Sequence, residues 1–297
     1  MTQITINDRI HEDTAVALGL FDGVHEGHRL IIRNVNLYSS EGFAPAVFTF
    51  RTESVKFKHG KPFEYIYTNE QKLKRLGKDI KYVLSPDFDD VKNMTGGEFA
   101  KNILVDTMNA KAIVCGDNFR FGKNAACGIE DLKCFGEKYG FEVKILRLGK
   151  NHFSSEKYRE MLRSGDVGKL YPSNAYSLWG EVVQGNHIGR TIDFPTVNQL
   201  YAEGQLVPKF GVYRTLAFIG EKAFPSITNV GVKPTIQGER NPLAETHILG
   251  FEGDLYGKKI TVEFLEFIRP EMKFASLDEL KAQIRADIKK VREINHT

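Results

Sequence analysis

Two different patterns of apolar residues divide this chain and limit the folds available to it. In the first half, short apolar runs typical of strands alternate with segments of helical periodicity. The expected strands are Ala15–Leu20, Ala46–Phe50, Ile80–Leu84, Ala112–Gly116 and Val143–Leu146, and the expected helices are Arg29–Ser40, Asn69–Lys78, Gly97–Asn109 and Ile129–Tyr139. Strands separated by helices require crossover connections and produce a mostly parallel sheet. The sequence therefore predicts an N-terminal, Rossmann-like α/β domain.

From about Tyr176 the pattern changes to short strands joined by turns. The expected strands are Leu178–Val183, Val212–Ile219, Ile227–Val230, Glu245–Phe251 and Ile260–Phe267. A run of strands without intervening helices is typical of an antiparallel β-barrel. The sequence therefore predicts a second, all-β domain.

A single helix is expected to close this barrel domain. Ser276 and Glu279 form a capping box, and the apolar stripe of the helix consists of Leu277, Leu280, Ile284, Ile288 and Val291. The domain boundary should lie near Gly165–Ser173, after a polar helix at Ser155–Ser164. We therefore expect one domain over residues 1–168 and another over residues 169–297.

Composition narrows the class of protein. The 297 residues are enough for two cores, and the hydrophobic and charged fractions of 41% and 27% are ordinary for a soluble globular protein. A net charge of only +3 argues against a dedicated nucleic-acid binder. The three cysteines have no C-x-x-C spacing, which is typical of reduced thiols in a cytosolic protein. With no signal-peptide pattern and no apolar run of membrane-spanning length, we expect a cytoplasmic location.

The junction between the first strand and the first helix carries a histidine pair. Residues 18–28 are Leu-Gly-Leu-Phe-Asp-Gly-Val-His-Glu-Gly-His, which places His25 and His28 at the start of the helix. Helix N-termini at the edge of such a sheet present free N–H groups to anions. The H-x-G-H motif therefore favours binding of nucleotide phosphates, with imidazoles stabilising a leaving pyrophosphate. Two histidines at this spacing also arise by chance, and neither a Walker P-loop nor a dinucleotide-binding fingerprint is present in the sequence.

Two further segments of the first domain contain candidate phosphate ligands. The loop after the fourth strand, residues 115–123, should lie at the same sheet edge as the histidines, and its Gly–Asp–Asn turn includes Asn118. Arg159 follows a Ser-Ser pair on the polar helix. The alternatives are an exposed polar loop for the first segment and a solvated helix face for the second.

In the second domain, residues 189–198 suggest a proline-bent loop that presents a hydroxyl, Thr196, and an amide, Asn198. Oxygen ligands of this kind suit Mg²⁺ that is shared with ATP oxygens, although a turn that satisfies its own backbone is the alternative. Glu245 could accept the proton of an attacking alcohol, or it could be a surface residue of an antiparallel strand. His247 is interpreted as a structural side chain.

In this order, the segments resemble the prokaryotic bifunctional riboflavin kinase/FMN adenylyltransferase family, also called FAD synthetase. The resemblance covers nearly the whole chain. Its segments are Leu18–His28, Cys115–Gly122 and Ser154–Arg159 in the first domain, and Gly189–Asn198, Phe210–Tyr213, Asn229–Thr235, Glu245–Phe251, Asp254–Gly257 and Ile268–Phe274 in the second. Each segment alone is a weak signal, whereas the ordered set is highly specific.

The resemblance implies two activities. The first domain, a nucleotidyltransferase, would transfer AMP from ATP to FMN and release pyrophosphate, with His25 and His28 on the ATP phosphates. The barrel, a riboflavin kinase, would phosphorylate riboflavin at its ribityl 5′-hydroxyl, with Glu245 as general base and Thr196 as the protein ligand of Mg²⁺. The implied nucleotide or phosphate contacts are Gly19, Phe21, Gly27, Asn118, Arg159, Gly189, Thr196 and Asn198.

The same resemblance implies the ligands of the protein. Riboflavin, FMN and FAD are the expected flavins, ATP is the co-substrate of both reactions, and Mg²⁺ is the expected cofactor. Neither a nucleic-acid nor a membrane partner is expected. Any self-association of the chain is expected to be weak.

The first domain departs from the family pattern in two motifs. The usual Thr-Phe-x-Pro-His-Pro is Thr-Phe-Arg-Thr-Glu-Ser at residues 49–54, and the usual Ser-Ser-Thr-x-Ile-Arg is Ser-Ser-Glu-Lys-Tyr-Arg at residues 154–159. Glu156 replaces a hydroxyl with a carboxylate, which would repel a phosphate by up to a few kcal/mol. This penalty becomes smaller if Lys157 or Arg159 pairs with Glu156.

Two alternatives therefore stay open at the level of sequence. The chain could be a riboflavin kinase whose first domain is not catalytic, which the two altered motifs favour. It could also be a flavin- or RNA-binding regulator that uses Lys56, Lys58 and Lys61, although the intact Thr196, Asn198 and Glu245 argue against this.

Overall fold

The computed structural model describes residues 1–58, 61–77, 79–147, 153–184, 194–234 and 240–293. The chain forms two compact units, Met1–Ser155 and Glu156–Thr297. The boundary between the two activities, placed at residues 168 and 169 from the sequence, stays a prediction. No helix in the described residues is long and apolar enough to cross a bilayer.

The first unit is built around a parallel sheet with helices on both faces. Its strands are β1 (Thr2–Ile4), β2 (Thr14–Leu18), β3 (Ala44–Phe48), β6 (Tyr82–Leu84), β7 (Ala110–Gly116) and β8 (Glu142–Leu146). Strands β4 (Phe57–Lys58) and β5 (Lys61–Pro62) form a separate antiparallel pair. Its helices are α1 (Glu26–Leu37), α2 (Asn69–Leu76), α3 (Phe88–Val91), α4 (Gly96–Glu98), which continues as a π-helix (Phe99–Thr107), and α5 (Ile129–Tyr139). Within the described residues the sheet order is β1–β6–β3–β2–β7–β8, and all neighbouring strands run parallel.

Strand β2 lies near the middle of this sheet because both of its faces are buried. All five of its residues are buried. Val16 and Leu18 pack into one apolar cluster with residues of the π-helix, and Ala15 and Ala17 pack into another with residues of α1. The chain leaves β2 toward β3 on one side and later returns to β7 on the other side. The β2–α1 loop therefore lies at a topological switch point, where α/β sheets bind ligands.

The predicted α/β class is confirmed, but some element boundaries were wrong. Helix α1 begins at Glu26 and not at Arg29, because His25 has extended backbone angles and occupies the N-cap position. Strand β1 was not predicted, since three mostly exposed residues show no apolar periodicity. The predicted polar helix is present as α6 (Ser155–Ser164).

The second unit contains an antiparallel, nearly closed barrel. Its strands are β9 (Ser177–Glu181), β10 (Val197–Leu200), β11 (Gly211–Ile219), β12 (Lys222–Pro234), β13 (Arg240–Ile248) and β14 (Lys259–Arg269). Among the described residues they follow the order β10–β13–β12–β11–β14–β9. Val183 and Asn198 form a bridge between the ends of this order, and the Gln199 amide donates to the Gly180 carbonyl at 2.8 Å. The predicted barrel is therefore confirmed.

Helix α7 (Leu277–Glu293) closes the chain and is held against the barrel by a buried ion pair. Asp287 is 1% exposed, and its carboxylate accepts hydrogen bonds from the Arg269 guanidinium at 2.8 and 3.0 Å. The predicted cap is present, since the Glu279 N–H donates to Ser276 Oγ at 3.2 Å. The apolar stripe was wrong at Leu277, which is 60% exposed at the first position of the helix.

Candidate active sites

The β2–α1 loop is folded tightly ahead of the histidine pair. Phe21 and Val24 are fully buried, and both have positive φ angles, 52° and 40°. Such angles are uncommon for residues other than glycine, asparagine and aspartate. Their occurrence at two apolar residues of one short loop shows that packing fixes the backbone here, as is common at functional sites.

His25 and His28 form a stacked pair at the start of α1. Their ring centroids are 3.7 Å apart with an angle of 23° between the planes, and His25 is 4% exposed. The His25 Nε2 atom lies 3.3 Å from Ser155 Oγ, which donates to the Asp22 carbonyl at 2.8 Å. Two imidazolium rings in contact repel each other, so a bound polyphosphate would stabilise the charged pair. The structure brings both histidines into contact, and their binding of phosphate stays a prediction.

Three other residues that we predicted as nucleotide contacts shape the same loop. A Cβ atom on Gly19 would lie 3.1 Å from the Phe21 ring, so the glycine allows the ring to pack over the backbone. The edge of Phe21 also contacts the His28 ring, with centroids 5.2 Å apart. Gly27 is buried in the first turn of α1. A direct contact of Gly19, Phe21 or Gly27 with nucleotide stays a prediction.

Asn118 lies at the same sheet edge as the histidine loop. It occupies an exposed turn after β7, which is the immediate neighbour of β2 in the sheet. The Phe119 N–H donates to the Gly116 carbonyl at 3.1 Å and closes this turn. Asn118 therefore lies at the edge of the sheet where a ligand at the switch point would bind.

Arg159 lies on α6 and is paired with the unusual Glu156. The Arg159 Nη1 atom is 3.2 Å from Glu156 Oε2, and Arg163 Nη1 is 3.6 Å from Glu156 Oε1. The Arg159 side chain is 5% exposed, whereas that of Glu156 is 66% exposed. The pairing that would reduce repulsion between Glu156 and a phosphate is therefore present.

A buried lysine near this sheet edge was missed by sequence reasoning. Lys72 on α2 is 1% exposed, and its Nζ atom donates to Thr49 Oγ1 at 3.1 Å and to the Phe50 carbonyl. Burial lowers the pKa of Lys72 to about 7, while the carboxylates of Asp22 and Glu53 act in the opposite direction. One signal was available in the sequence, because Lys72 is four residues before Leu76 and so shares its apolar helix face.

This pKa shift predicts a pH dependence of stability. The unfolded Lys72 titrates near its ordinary pKa of 10.5, so the unfolded chain binds more protons than the folded chain between pH 7 and 10.5. The free energy of unfolding should therefore rise with pH in this range. Between pH 7 and 9 we expect a rise of about 2 kcal/mol in the wild type relative to the Lys72→Met variant.

Urea unfolding followed by circular dichroism would measure this difference. Trp179 is the only tryptophan and lies in the second unit, so its fluorescence identifies that unit's transition separately. An identical pH dependence in both proteins would contradict the assigned shift.

On the barrel, a row of polar side chains crosses three strands. Glu245 on β13 is the register partner of Asn198 on β10 and of Asn229 on β12. Side chains of directly paired residues lie on the same face of a sheet. Asn198 is 3% exposed, and within the described residues its Oδ1 atom has no hydrogen-bond partner. A carboxylate and a buried amide oxygen without a partner therefore lie side by side.

The prediction of one loop over residues 189–198 was wrong at its end. Val197 and Asn198 begin strand β10, because they pair with Thr246 and Glu245 of β13. Gly189, predicted as a phosphate contact, lies outside the described residues.

Thr196 immediately precedes β10 and lines a small, open pocket. The pocket is also lined by Thr246, Phe251, Asp254 and Tyr256. The Tyr256 N–H donates to the Asp254 carboxylate at 2.9 Å and fixes the turn at the pocket rim. Thr196 therefore combines a hydroxyl with a cavity that could accept part of a nucleotide.

His247 supports the segment that leads to Thr196. Its Nδ1 atom lies 2.8 Å from the Pro195 carbonyl, and its ring contacts the edge of Phe194 with centroids 5.5 Å apart. Sequence reasoning gave His247 a structural role without identifying this contact. Thr196 and Asn198 fit a Mg²⁺ ion, because both offer oxygen atoms of the kind that Mg²⁺ prefers and Asn198 Oδ1 has no hydrogen-bond partner within the described residues.

Comparison with known proteins decides the family. The FAD synthetase family model matches residues 7–157, and the riboflavin kinase model matches residues 172–295. The bifunctional riboflavin kinase/FMN adenylyltransferase of Escherichia coli strain K12 is 34% identical over 292 residues, which cover 95% of this chain and 93% of that protein. The chain belongs to the bifunctional riboflavin kinase/FMN adenylyltransferase family.

A second curated relative and a solved structure are also similar to this chain over nearly its whole length. The Haemophilus influenzae protein of that name is 31% identical and aligns over 95% of this chain and 94% of its own length. A crystal structure from Streptococcus pneumoniae, described as a macrolide-efflux protein, has a TM-score of 0.81 and 30% identity, and covers 98% of this chain and 99% of its own. The resemblance inferred from the ordered motifs is therefore confirmed.

The two candidate sites fall into different family domains. The histidine pair, Asn118 and Lys72 lie inside the FAD synthetase match, whereas Glu245 lies inside the riboflavin kinase match. Arg159 lies between the two matched ranges. Each domain thus contains one cluster of polar groups suited to phosphate chemistry.

Proposed function

We propose that this chain converts riboflavin to FMN and FMN to FAD, using one ATP in each step. The observation that carries the proposal is that each family domain contains its own site. The first domain has stacked histidines at a helix N-terminus, and the second has a carboxylate beside a buried amide oxygen. The match to FAD synthetase over residues 7–157 favours two activities over a kinase alone.

In the kinase reaction, Glu245 acts as the general base. Its carboxylate accepts the proton of the ribityl 5′-hydroxyl of riboflavin while the hydroxyl oxygen attacks the γ-phosphorus of ATP. The bond between that phosphorus and the β–γ bridging oxygen breaks, and ADP leaves. Thr196 and Asn198 would hold ATP together with Mg²⁺, and the ion would neutralise phosphate charge. Positioning and electrostatics supply most of the rate in this type of transfer.

In the adenylyl transfer, the phosphate of FMN attacks the α-phosphorus of ATP. The bond to the α–β bridging oxygen breaks, and pyrophosphate leaves. His25 and His28 stabilise the negative charge that develops on this leaving group, and the N-terminus of α1 adds its dipole. Asn118, Arg159 and the glycines of the loop contribute contacts to nucleotide or phosphate.

The chain is also proposed to act in the cytoplasm. Its three cysteines, Cys115, Cys127 and Cys134, are free thiols, as expected in a reducing compartment. Riboflavin, FMN, FAD and ATP are its proposed ligands.

Glu156 should limit the adenylyl transfer, because it holds Arg159 and places a negative charge on α6. Glu156→Thr is therefore expected to increase kcat/KM for FAD formation from FMN about fivefold, as for loss of an ion pair of about 1 kcal/mol. Steady-state kinetics with FMN and ATP would measure this change. Glu160→Thr is the matched control, since it removes a carboxylate from the exposed part of the same helix. An effect no larger than that of the control would contradict the role of Glu156.

Chromatography of flavins tests the proposed function as a whole. The purified protein is incubated with Mg²⁺ and ATP, and with riboflavin in one tube and FMN in another. FAD in both tubes is expected. FMN accumulating from riboflavin, with no FAD in either tube, would show that the first domain is not catalytic. An absence of any new flavin would overturn both activities.

A further inference from the structure

Lys72 is a buried lysine that the proposed reactions do not use. It lies 1% exposed on α2, beside the apolar residues Leu73 and Leu76. Burial of an ammonium group is unfavourable, and an apolar side chain at such a position is often neutral or stabilising. An amino group at this buried position therefore calls for a reason other than packing.

The contacts of Lys72 lead to the histidine loop. Its Nζ atom donates to Thr49 Oγ1 at 3.1 Å, and Thr49 Oγ1 donates to the Leu20 carbonyl at 2.9 Å. Thr49 is fully buried directly after β3, and Leu20 lies in the β2–α1 loop. Two consecutive hydrogen bonds thus connect helix α2 to the loop that carries His25.

The segment that leads into α2 holds the same loop at a second point. The Ile66 N–H donates to Asp22 Oδ1 at 2.9 Å in a buried bond. Leu20 and Asp22 lie on either side of Phe21, whose φ angle is positive. The loop is therefore held on both sides of this unusual conformation, at the Leu20 carbonyl and at the Asp22 carboxylate.

The same helix also anchors the altered motif at residues 49–54. Lys72 binds the motif at Thr49 and at the Phe50 carbonyl, and the Glu53 carboxylate accepts a hydrogen bond from the Asn69 N–H at 2.8 Å. Glu53 stands where the family pattern has histidine. Both ends of this segment are thus tied to α2 without the usual Pro-His-Pro.

We infer that Lys72 is a positioning residue for adenylyl transfer, which fixes the β2–α1 loop through Thr49 and thereby holds His25 and His28 in place. The inference rests on the proposed adenylyltransferase function of the first domain. Lys72 does not touch the substrate. It acts through a neutral hydroxyl and a backbone carbonyl, so its removal should affect the transition state more than substrate binding.

Two variants and their combination test this inference. Lys72→Met keeps an unbranched side chain, and Thr49→Val keeps the shape of threonine. Each is expected to lower kcat for FAD formation about 30-fold, with KM for FMN changed less than about threefold, as for a small displacement of catalytic groups. The double variant should be no slower than the slower single variant, because both changes break one connection. Lys74→Met, which removes an exposed charge from the same helix, should match the wild type.

Riboflavin phosphorylation should stay at the wild-type rate, and hydrogen exchange of the buried strand β7 should match the wild type, which provides the control for folding of the first unit. Multiplicative effects of the two changes, or an effect on KM alone, would overturn the inference.

Hydrogen exchange tests the inference by a measurement that does not depend on FAD formation. Peptides spanning residues 19–27 should exchange faster in Lys72→Met and in Thr49→Val than in the wild type. Unchanged exchange in this loop would overturn the inference even if activity fell. If the wild type made no FAD, the proposed function would fail, and loop exchange would still decide whether Lys72 holds the loop.

Discussion

Replacement of Glu245 by glutamine is expected to lower the rate of riboflavin phosphorylation about 10²- to 10⁴-fold, the range for loss of a general base. Glutamine keeps the size of the side chain but cannot accept the proton of the attacking hydroxyl. Its position between Asn198 and Asn229 in the strand register should be kept, so ATP binding should change little. Conversion of supplied FMN to FAD is expected to stay at the wild-type rate.

Separate assays with riboflavin and with FMN would measure the two effects of Glu245→Gln. Glu266→Gln is the matched control, since this carboxylate lies on β14 and pairs with Arg214 at 3.5 Å. Loss of both activities in Glu245→Gln would show that the assigned role, or the independence of the two reactions, is wrong. Retention of riboflavin phosphorylation would remove Glu245 as the base.

The opposite pattern is expected for His25→Asn. FAD formation from FMN should fall about 10²- to 10³-fold, as for loss of a group that stabilises developing charge in a transition state. Asparagine cannot carry a positive charge, and it also removes the ring that stacks on His28 at 3.7 Å. Riboflavin phosphorylation should be unaffected.

Kinetic assays of adenylyl transfer, with pyrophosphate release as the readout, would measure the effect of His25→Asn. His11→Asn provides a control, since His11 is an exposed histidine of the same unit. Equal rates in wild type and His25→Asn would exclude a role of His25 at the pyrophosphate. His25→Asn and Glu245→Gln should together separate the two reactions completely.

The parts of the fold that were predictable are those with a clear apolar pattern. Strand β2 is apolar at four of its five positions, and the described core residues of α1 recur at helical spacing. Strand β10 was hidden because two of its four residues, Asn198 and Gln199, are polar and buried. The Gln199 amide donates to two backbone carbonyls where the barrel closes, which only the three-dimensional arrangement reveals.

The interior of the barrel was equally hidden from sequence analysis. Thr215, Ser226, Thr228 and Thr246 are fully buried and joined by hydrogen bonds of 2.8–2.9 Å between their hydroxyls. Polar residues that face inward weaken the alternation by which a half-buried strand is identified. The strands β12 and β13 were accordingly predicted with the wrong ends.

The candidate sites also have parts that could be predicted from the sequence and parts that could not. The histidine pair at the start of α1 and the pairing of Glu156 with Arg159 on α6 each involve residues three positions apart, a spacing that sequence analysis can use. The connection from Lys72 to the histidine loop depends on Thr49, which is 23 residues away. Contacts of this kind depend on the packing of the whole unit, so no local sequence pattern predicts them.

Position-labelled ATP offers the most direct test of two separate transfers in one chain. With riboflavin and ATP labelled at the γ-phosphorus, labelled FMN and then labelled FAD are expected. With FMN and ATP labelled at the α-phosphorus, the label should enter FAD, whereas a γ-label should appear only in pyrophosphate. Absence of α-label from FAD would contradict adenylyl transfer by the first unit, and absence of γ-label from FMN would contradict phosphorylation by the barrel.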